Sequence, residues 1–244
     1  MNEPEHITKT LEMTLKELNE KNSSIQSEPK LPICKICYTK EATISCDPGW
    51  QYGRDYCDEC HQDQRAKRII EREIPLKYID IESDHSRTFP GLKDRNIFLT
   101  GKSGTGKTVF ACSLAKTHVG DGRSLKFISF PAFIMELQSS FKKDDKNPFE
   151  IAEEIAKFSG VLVIDDLGAE KMTDFVKQII YFIINEREQR CLTTIITSNF
   201  SLAQLDEHID SRISSRIAGM CKVIQLSGRD RRLKPNPPQN ALDE

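Results

Sequence analysis

The sequence predicts an α/β fold, with a parallel β-sheet flanked by helices, joined to a small N-terminal module built on cysteines. Two observations support this prediction. From residue 96 onward, apolar runs of strand length alternate with longer helical patterns. Five of the eight cysteines, in contrast, fall within residues 34–60. The 244 residues are therefore expected to divide into a cysteine-built module and a larger domain with an ordinary apolar core.

Hydrophobic periodicity places the individual elements. Five strands are expected, at 96–100, 126–130, 160–165, 192–198 and 222–226. Residues 64–73 are expected to form a basic helix that ends before Pro75. Apolar side chains trace a further helical face from Leu202 to Met220. Near the N-terminus, residues 7–18 have the spacing of an amphipathic helix.

The composition excludes several classes of protein. Lysines and arginines number 35 against 37 aspartates and glutamates, so no general positive charge attracts nucleic acid. The apolar runs are too short to span a membrane, and the N-terminus lacks the features of a secretory signal. We therefore expect a cytoplasmic protein that does not bind membranes. Outside the cluster, Cys112, Cys191 and Cys221 are expected to be buried packing residues.

Residues 101–108 match G-x-x-x-x-G-K-[ST], the phosphate-binding pattern called Walker A. The glycines let the backbone point consecutive N–H groups at phosphate oxygens, assisted by the N-terminus of the next helix. Lys107 is expected to reach the β- and γ-phosphates, and the Thr108 hydroxyl to hold Mg²⁺. The residues expected to bind ATP are Gly101, Lys102, Ser103, Gly104, Thr105, Gly106, Lys107 and Thr108.

Residues 161–166 form a second pattern, an apolar strand that ends in two carboxylates and is called Walker B. Asp165 is expected to bind Mg²⁺ through its water shell, and Asp166 to orient or deprotonate the attacking water. Many related ATPases have glutamate at the second position, and the shorter aspartate leaves the rate of hydrolysis open. The alternative is that both carboxylates are solvated turn residues.

Three polar side chains further along the chain are candidates for contacting the γ-phosphate. Asn199 ends a β-branched strand, where a phosphate sensor would lie; taken alone, it is better explained as a cap of the helix that follows Ser201. Arg212 and Arg216 lie one helical turn apart, and arginine fingers are often supplied by a neighbouring subunit. The alternative for these arginines is a solvated surface pair.

The motifs together resemble the DnaC/IstB/DnaI branch of the AAA+ ATPases. The matching segments, in order, are 101–107, 161–168, 197–199 and 211–220, with 165–170 and 227–234 especially similar. The resemblance covers roughly residues 90–234. It implies a P-loop NTPase fold of AAA+ type without a full helical lid, and an ATPase that depends on Mg²⁺. In that family a closing arginine acts as a second sensor, a role that corresponds best to Arg232.

The clustered cysteines have the spacing of a metal site. Cys34 and Cys37 form one C-x₂-C pair, and Cys57 and Cys60 form another after 19 residues. Each pair supplies two thiolates from one turn, and Zn²⁺ accepts four in tetrahedral geometry. The spacing therefore predicts structural zinc. Cys46 is left over; it could substitute for one ligand, although two complete pairs make that unnecessary. The alternatives are a redox pair, or haem attachment at C-x-x-C-H, against which the missing export signal argues.

The cysteine module is acidic. Residues 31–64 contain six acidic and three basic side chains, a net charge of −3. Because phosphate neutralisation supplies most of the affinity for nucleic acid, such a module is expected to dock a protein instead. Single-stranded DNA is expected to contact Phe141, Lys142 and Lys143, or the basic stretch 229–234. Either segment could equally be a solvated surface.

With the resemblance, these features predict an ATP-dependent loader that places a hexameric replicative helicase on single-stranded DNA. The helicase is expected to bind the zinc module. ATP would lie between Walker A of one subunit and an arginine of the next in a homo-oligomer, and slow hydrolysis would act as a switch. The alternatives are a transposition helper ATPase of IstB type and an ATP-binding adaptor that does not hydrolyse ATP.

The expected domain boundaries follow from these motifs. They are an amphipathic helix and linker over 1–30, a zinc-binding module over 31–63, a basic linker helix over 64–94, an AAA+ ATPase domain over 95–228, and a basic stretch with a disordered tail over 229–244.

Overall fold

A computed structural model describes most of the chain. It covers residues 33–41, 57–81, 92, 96–141, 147–170 and 172–232. The chain divides into two compact units, Met1–His61 and Gln62–Glu244. The predictions for residues 1–30, Cys46, Lys142, Lys143 and 233–244 fall outside the described residues.

Helices and strands follow one another along the described chain, with one or two helices between each pair of successive strands and a 3-10 helix at Leu76–Tyr78. In order, they are α1 (Asp58–Glu73), β1 (Asn96–Thr100), α2 (Lys107–Gly120), β2 (Leu125–Ser129), α3 (Phe130–Ser140), α4 (Pro148–Lys157), β3 (Val161–Asp165), α5 (Asp174–Gln189), β4 (Thr194–Ser198), α6 (Leu202–His208), α7 (Ser211–Met220) and β5 (Cys221–Gln225). None of the described helices has both the length and the apolar character that a membrane span needs.

The five strands form one sheet in the order β2-β3-β4-β1-β5, and every neighbouring pair is parallel. The predicted fold class is therefore confirmed, with strand ends that move by one or two residues. Because the strands share one direction, the loops after β1, β3 and β4 leave the same edge of the sheet. The segments that carry the Walker A and Walker B motifs therefore meet at that edge.

The core lies on both faces of the sheet. Strand β3 is buried along its whole length, so its alternate side chains enter two different apolar clusters. Val161 and Val163 belong to the cluster that contains residues of α2, whereas Leu162 and Ile164 belong to the cluster that contains residues of α3 and α5. This arrangement explains why the strand is a continuous apolar run instead of an alternating pattern.

Two predicted helical segments differ from the structure. Helix α1 begins at Asp58, six residues before the predicted start, and its acidic first turn suits the positive end of the helix dipole. The helical face from Leu202 to Met220 belongs to two helices, because the chain leaves helical geometry at Ile209. Asp210 then caps α7, since its carboxylate accepts a hydrogen bond from the Arg212 backbone N–H at 2.8 Å.

The three cysteines outside the cluster do not all behave as predicted. Cys112 and Cys221 are buried, as expected. Cys191 is exposed, and the prediction that it packs in the core is wrong. It follows the end of α5 with a φ of 52°, the left-handed conformation that commonly ends a helix.

A buried arginine on α5 joins the helix to the segments that precede β3 and β4. Arg187 is fully buried, and its guanidinium donates to Thr194 Oγ1 at 2.8 Å and to the carbonyls of Phe158, Gly160 and Thr193 at 2.9, 3.1 and 2.7 Å. Burial lowers the pKa of Arg187 to about 10, so the side chain stays protonated at neutral pH. It therefore serves as an internal donor for buried carbonyls, of which that of Thr193 also accepts from the Leu162 N–H at 3.1 Å.

Replacing Arg187 with methionine is expected to lower the free energy of unfolding by about 3 kcal/mol, because several buried carbonyls lose their donor. The change should appear as a lower midpoint in urea denaturation. Arg190→Met is the matched control, because the Arg190 side chain forms a surface ion pair with Glu186, and its loss should change stability by less than about 0.5 kcal/mol. An equal decrease in the free energy of unfolding in the two variants would contradict this role of Arg187.

Candidate nucleotide-binding site and metal centre

In the loop after β1, two glycines lie so close to other residues that a side chain would not fit. Gly101 has a φ of 148°, and a Cβ there would lie 2.2 Å from the Leu226 carbonyl oxygen. Gly104 has a φ of 74°, and a Cβ there would lie 1.7 Å from Asp230 Oδ1. The loop leads directly into α2 at Lys107, so the N-terminus of a helix faces the space enclosed by the loop. This is the backbone geometry that binds phosphate groups.

Lys107 is held at the base of this loop. Its side chain is 5% exposed, and Nζ donates to the carbonyls of Gly101 and Lys102 at 2.8 and 2.9 Å and to Asn199 Oδ1 at 2.7 Å. Burial lowers the pKa of Lys107, while the charges of Asp166 and Asp165 oppose that shift. The structure thus brings Lys107 and Asn199 together across the sheet edge.

The alternative that Asn199 caps the next helix is wrong. The cap of α6 is Ser201, whose side chain accepts from the Gln204 backbone N–H, and the Gln204 side chain in turn accepts from the Ser201 N–H. Asn199 therefore stays available at the tip of β4, where the sensor was predicted.

The two predicted magnesium ligands are in contact. Thr108 Oγ1 lies 3.0 and 3.2 Å from the two carboxylate oxygens of Asp165, and Thr197 Oγ1 donates to Asp165 Oδ1 at 2.7 Å. Burial raises the pKa of Asp165, and the hydrogen bond from Thr197 acts in the opposite direction. A carboxylate next to a hydroxyl is the oxygen ligand set that Mg²⁺ prefers. The residues present therefore fit a magnesium ion.

Asp166 has an uncommon backbone conformation that aims it into the cleft. Its φ is 59°, which costs an L-residue about 1 kcal/mol. Thr197 holds it there, because the Asp166 N–H donates to Thr197 Oγ1 at 2.9 Å and the Leu167 N–H donates to the Thr197 carbonyl at 2.8 Å. Thr197 thus positions both carboxylates, a role that the sequence analysis missed. Its signals were a polar residue near the end of an apolar strand and its place in the matching segment 197–199.

A cleft of about 350 Å³ lies beside these residues. Its lining is Lys77, Tyr78, Ile81, Ser103, Gly104, Gly106, Lys107, Thr108, Val109, Asp166, Asn199, Arg231 and Arg232. The structure therefore brings together most of the predicted nucleotide-binding residues, including Arg232. Tyr78 and Arg231 are cleft residues that sequence reasoning did not identify.

The segment after β5 lies against the phosphate-binding loop. The Arg231 N–H donates to the Gly104 carbonyl at 3.0 Å, and the Arg232 N–H donates to Asp230 Oδ1 at 2.9 Å. The Arg231 guanidinium lies 3.5 Å from where a Cβ on Gly106 would be. Two arginine side chains therefore flank the cleft on this side.

Arg212 and Arg216 lie together on α7 but do not line this cleft among the described residues. Both guanidiniums lie over the ring of Tyr181, at 5.0 and 5.1 Å from its centroid. Arg216 also pairs with Glu188 at 2.6 Å and donates to the Tyr181 hydroxyl at 2.9 Å, and Arg212 pairs with Asp210 at 2.8 Å. Within one chain, both arginines are occupied away from the cleft.

The four predicted zinc ligands form a cluster in the first unit. The sulfurs of Cys34, Cys37, Cys57 and Cys60 all lie within 4.8 Å of one another, and none is in a disulfide. The sulfurs of Cys37 and Cys57 are 3.9 Å apart. Tetrahedral zinc with bonds of about 2.3 Å separates its sulfurs by about 3.8 Å. The donor set and its spacing therefore fit zinc.

Local structure brings the first cysteine pair into position. A tight turn closes the first pair, because the Cys34 N–H donates to the Lys40 carbonyl at 2.8 Å and the Tyr38 N–H donates to the Cys34 carbonyl at 3.1 Å. The Thr39 side chain lowers the pKa of Cys37 to about 6, whereas burial raises the pKa of Cys60 to about 12. Opposite shifts are expected where four sulfurs share a small space, and a divalent cation would stabilise all four thiolates.

Comparison with known proteins places these motifs in a family. Residues 86–237 match the family described as IstB-like ATP binding protein. The replicative helicase loader DnaI of Bacillus subtilis (strain 168) is 29% identical over 153 residues, which are 57% of this chain and 48% of that protein. An ATP-binding protein ascribed to insertion sequence IS21 of Pseudomonas aeruginosa is 24% identical over 147 residues, 58% of this chain and 54% of that protein. The chain thus spans about half the length of these curated relatives.

A solved structure has the same fold. The crystal structure of a candidate primosome component from Streptococcus pyogenes serotype M3 superimposes with a TM-score of 0.53 and 23% identity, over 69% of this chain and 99% of that chain. The likeness shows that the sheet and its helices follow an arrangement already known.

Proposed function

We propose, since the chain belongs to the family of IstB-like ATP-binding proteins, that it uses ATP to control the loading of a replicative helicase onto single-stranded DNA in the cytoplasm. The family confirms the resemblance predicted from the motifs. The observation that carries the proposal is the set of hydrogen bonds at the cleft, in which Lys107 donates to Asn199 and Thr108 donates to Asp165. The chain that has this arrangement is similar to the loader DnaI.

The cleft residues support a specific role for each side chain in ATP hydrolysis. Lys107 would bind the β- and γ-phosphates, and Thr108 with Asp165 would hold the Mg²⁺ that neutralises developing charge. Asp166 would accept the proton of the attacking water, and Asn199 would contact the γ-phosphate. The short side chain of Asp166 favours slow turnover, which suits a switch better than a metabolic enzyme.

The chain is proposed to form a homo-oligomer when ATP and the partner are bound. Arg212 and Arg216 lie away from the cleft of their own chain, so they can complete a site only in a neighbouring subunit. Arg232 lines the cleft of its own chain and would contact the nucleotide in cis. The proposed site thus uses arginines from two subunits.

The cysteine module is the proposed docking site for the helicase. Three apolar side chains on its described turn are exposed: Ile33 by 63%, Ile36 by 39% and Tyr38 by 75%. Exposed apolar side chains on an acidic module favour a protein partner over a nucleic acid. A zinc ion would fix the turn that presents them.

An exposed aromatic cluster is the proposed contact for single-stranded DNA. The rings of Phe141 and Phe149 lie with their centroids 5.1 and 6.2 Å from that of Phe175, and Phe141 is 62% exposed. Surface aromatic rings stack on bases without requiring a particular sequence. The adjoining basic residues, Lys142 and Lys143, would add attraction for the phosphates.

Replacing Phe141 with alanine is expected to weaken binding of single-stranded DNA by about tenfold, because one stacking partner is lost. Fluorescence anisotropy of a labelled oligothymidylate, with a non-hydrolysable ATP analogue present, measures the effect. Val223→Ala is the control, since Val223 is an exposed apolar residue on β5, outside the cluster. An unchanged affinity in the Phe141 variant would remove this cluster from the DNA-binding surface.

Affinity capture of the tagged full chain from host lysate, with ATP present, tests the function itself. We expect mass spectrometry to recover the hexameric replicative helicase, and to lose it when Ile33 and Tyr38 are replaced by serine. Recovery of a transposase instead would support a transposition helper, the second candidate, which the similarity to the insertion-sequence protein favours.

A further inference from the structure

One lysine on the helix that follows the phosphate-binding loop is hydrogen-bonded to a segment that lines the cleft. Lys116 lies on α2 and is half-buried. Its ammonium donates to the carbonyls of Tyr78, Ile79 and Ile81 at 2.7, 2.5 and 3.1 Å. An ammonium has three N–H donors, and here three carbonyls accept them. In the described part of the chain, Lys116 makes no ion pair with a carboxylate.

The segment that Lys116 holds has little regular structure of its own. The 3-10 helix ends at Tyr78, and backbone bonds from Tyr78 to Pro75 and from Ile79 to Leu76 close its single turn. Tyr78 and Ile79 rest against the apolar cluster below the sheet, while Leu76 is 83% exposed. Because the carbonyls after the turn have no helix or strand partner among the described residues, the bonds to Lys116 fix where this segment lies.

The same segment forms one wall of the nucleotide cleft. Lys107, Thr108 and Asp166 mark the end of the cleft that suits phosphates and a metal. Tyr78 and Ile81 also line the cleft and offer an aromatic ring and an aliphatic side chain. A flat, largely apolar group fits such side chains, with polar contacts at its edges. Burial raises the pKa of Tyr78, and the charge of Asp165 acts in the same direction.

Helix α2 therefore contacts both ends of the cleft. Lys107 and Thr108 lie in its first turn, and Lys116 lies nearer its other end. We propose that Lys116 is a positioning residue that holds Tyr78 and Ile81 as the wall against which the nucleobase lies. One helix then sets the distance between the phosphate end and the base end. This inference rests on the proposed function of the cleft as an ATP site.

Competition binding on the full chain tests the inference. A fluorescent ATP analogue is displaced, with Mg²⁺ present, by ATP, by GTP and by inorganic tripolyphosphate. The wild type is expected to prefer ATP to GTP. Lys116→Met is expected to weaken ATP binding by about tenfold and to reduce the preference for ATP over GTP, because the wall loses three charge-assisted hydrogen bonds. Affinity for tripolyphosphate should stay within about twofold, since the phosphate end is untouched.

Matched variants separate positioning from general damage. Lys126→Met removes an exposed lysine on β2 and should leave all three affinities unchanged. Lys116→Arg should restore part of the preference, because it keeps the charge but not the compact three-donor geometry. Tyr78→Leu keeps the backbone carbonyls and should weaken ATP but not tripolyphosphate. If Lys116→Met does not fold, the ratio of ATP to tripolyphosphate affinity in Lys116→Arg decides the question, and a ratio equal to that of wild type overturns the inference.

The outcomes distinguish this inference from the proposed function. A wild type that binds neither ATP nor tripolyphosphate overturns the proposed function, and the inference with it. A wild type that binds ATP while Lys116→Met keeps its base preference overturns the inference alone. Equal loss of ATP and tripolyphosphate in the variant also overturns it, because that result shows a general structural role.

Discussion

Replacing Lys107 with methionine is expected to weaken ATP binding by about 100-fold or more and to reduce hydrolysis to background. The ammonium is nearly buried, and its bonds to Gly101, Lys102 and Asn199 hold it at the base of the phosphate-binding loop. Charge-assisted bonds to phosphate oxygens contribute about 1.5–3 kcal/mol each, and a desolvated cleft strengthens them. Calorimetric titration with ATP and Mg²⁺ measures the affinity, and phosphate release measures the rate.

The control is Lys222→Met, which removes an exposed lysine on the edge strand β5. It changes the net charge by the same amount and should leave both quantities unchanged. If the Lys107 variant keeps both its ATP affinity, within about threefold of wild type, and its rate of hydrolysis, the loop is not the phosphate site. Retained binding with lost hydrolysis would place Lys107 in the chemical step alone.

Removal of zinc is expected to unfold the described part of the first unit and to abolish helicase capture. Four sulfurs converge there within 4.8 Å, and apparent zinc-binding free energies are about 10–16 kcal/mol in zinc-finger peptides. The double variant Cys57→Ser, Cys60→Ser should fall from about one zinc per chain to none, as measured by mass spectrometry of the metal content. Hydrolysis of ATP should continue, since the nucleotide cleft lies within the second unit.

Cys191→Ser provides the control, because Cys191 is exposed and lies outside the cluster. Its zinc content should equal that of wild type. Zinc content that survives in the double variant would show that the metal is held elsewhere. A wild-type protein that binds no zinc but forms a disulfide in this unit would favour the redox alternative instead.

Much of the site was predictable because its motifs are continuous in sequence. The loop at 101–108 needs glycines and a lysine at fixed spacing, and the strand that ends in Asp165 and Asp166 is a single apolar run. The C-x₂-C pairs likewise bring two sulfurs together within one turn each. Such patterns depend on local backbone geometry, which neighbouring residues determine by themselves.

Other features depend on residues that are far apart in the chain. Thr197 was not identified, because its role exists only where β4 lies beside β3 and its hydroxyl reaches Asp165 at 2.7 Å. The contact of Lys116 with residues 78–81 and the buried bonds of Arg187 also join segments that no local pattern connects. A lysine and an arginine on helices are ordinarily surface residues, so composition and periodicity gave no reason to single them out.

The sequence by itself determined the phosphate-binding loop, the paired carboxylates, the parallel sheet and the four cysteines. Only the tertiary structure decided which side chains hold them in place or lie beside them: Asn199 accepts from Lys107, Thr197 bonds the Asp165 carboxylate and the Asp166 backbone N–H, and Arg231 lies beside Arg232 at the cleft. The physical reason is the parallel sheet, which aligns the ends of strands separated by long helical connections. Hydrogen bonds between those ends require distances that no single segment of the chain can specify.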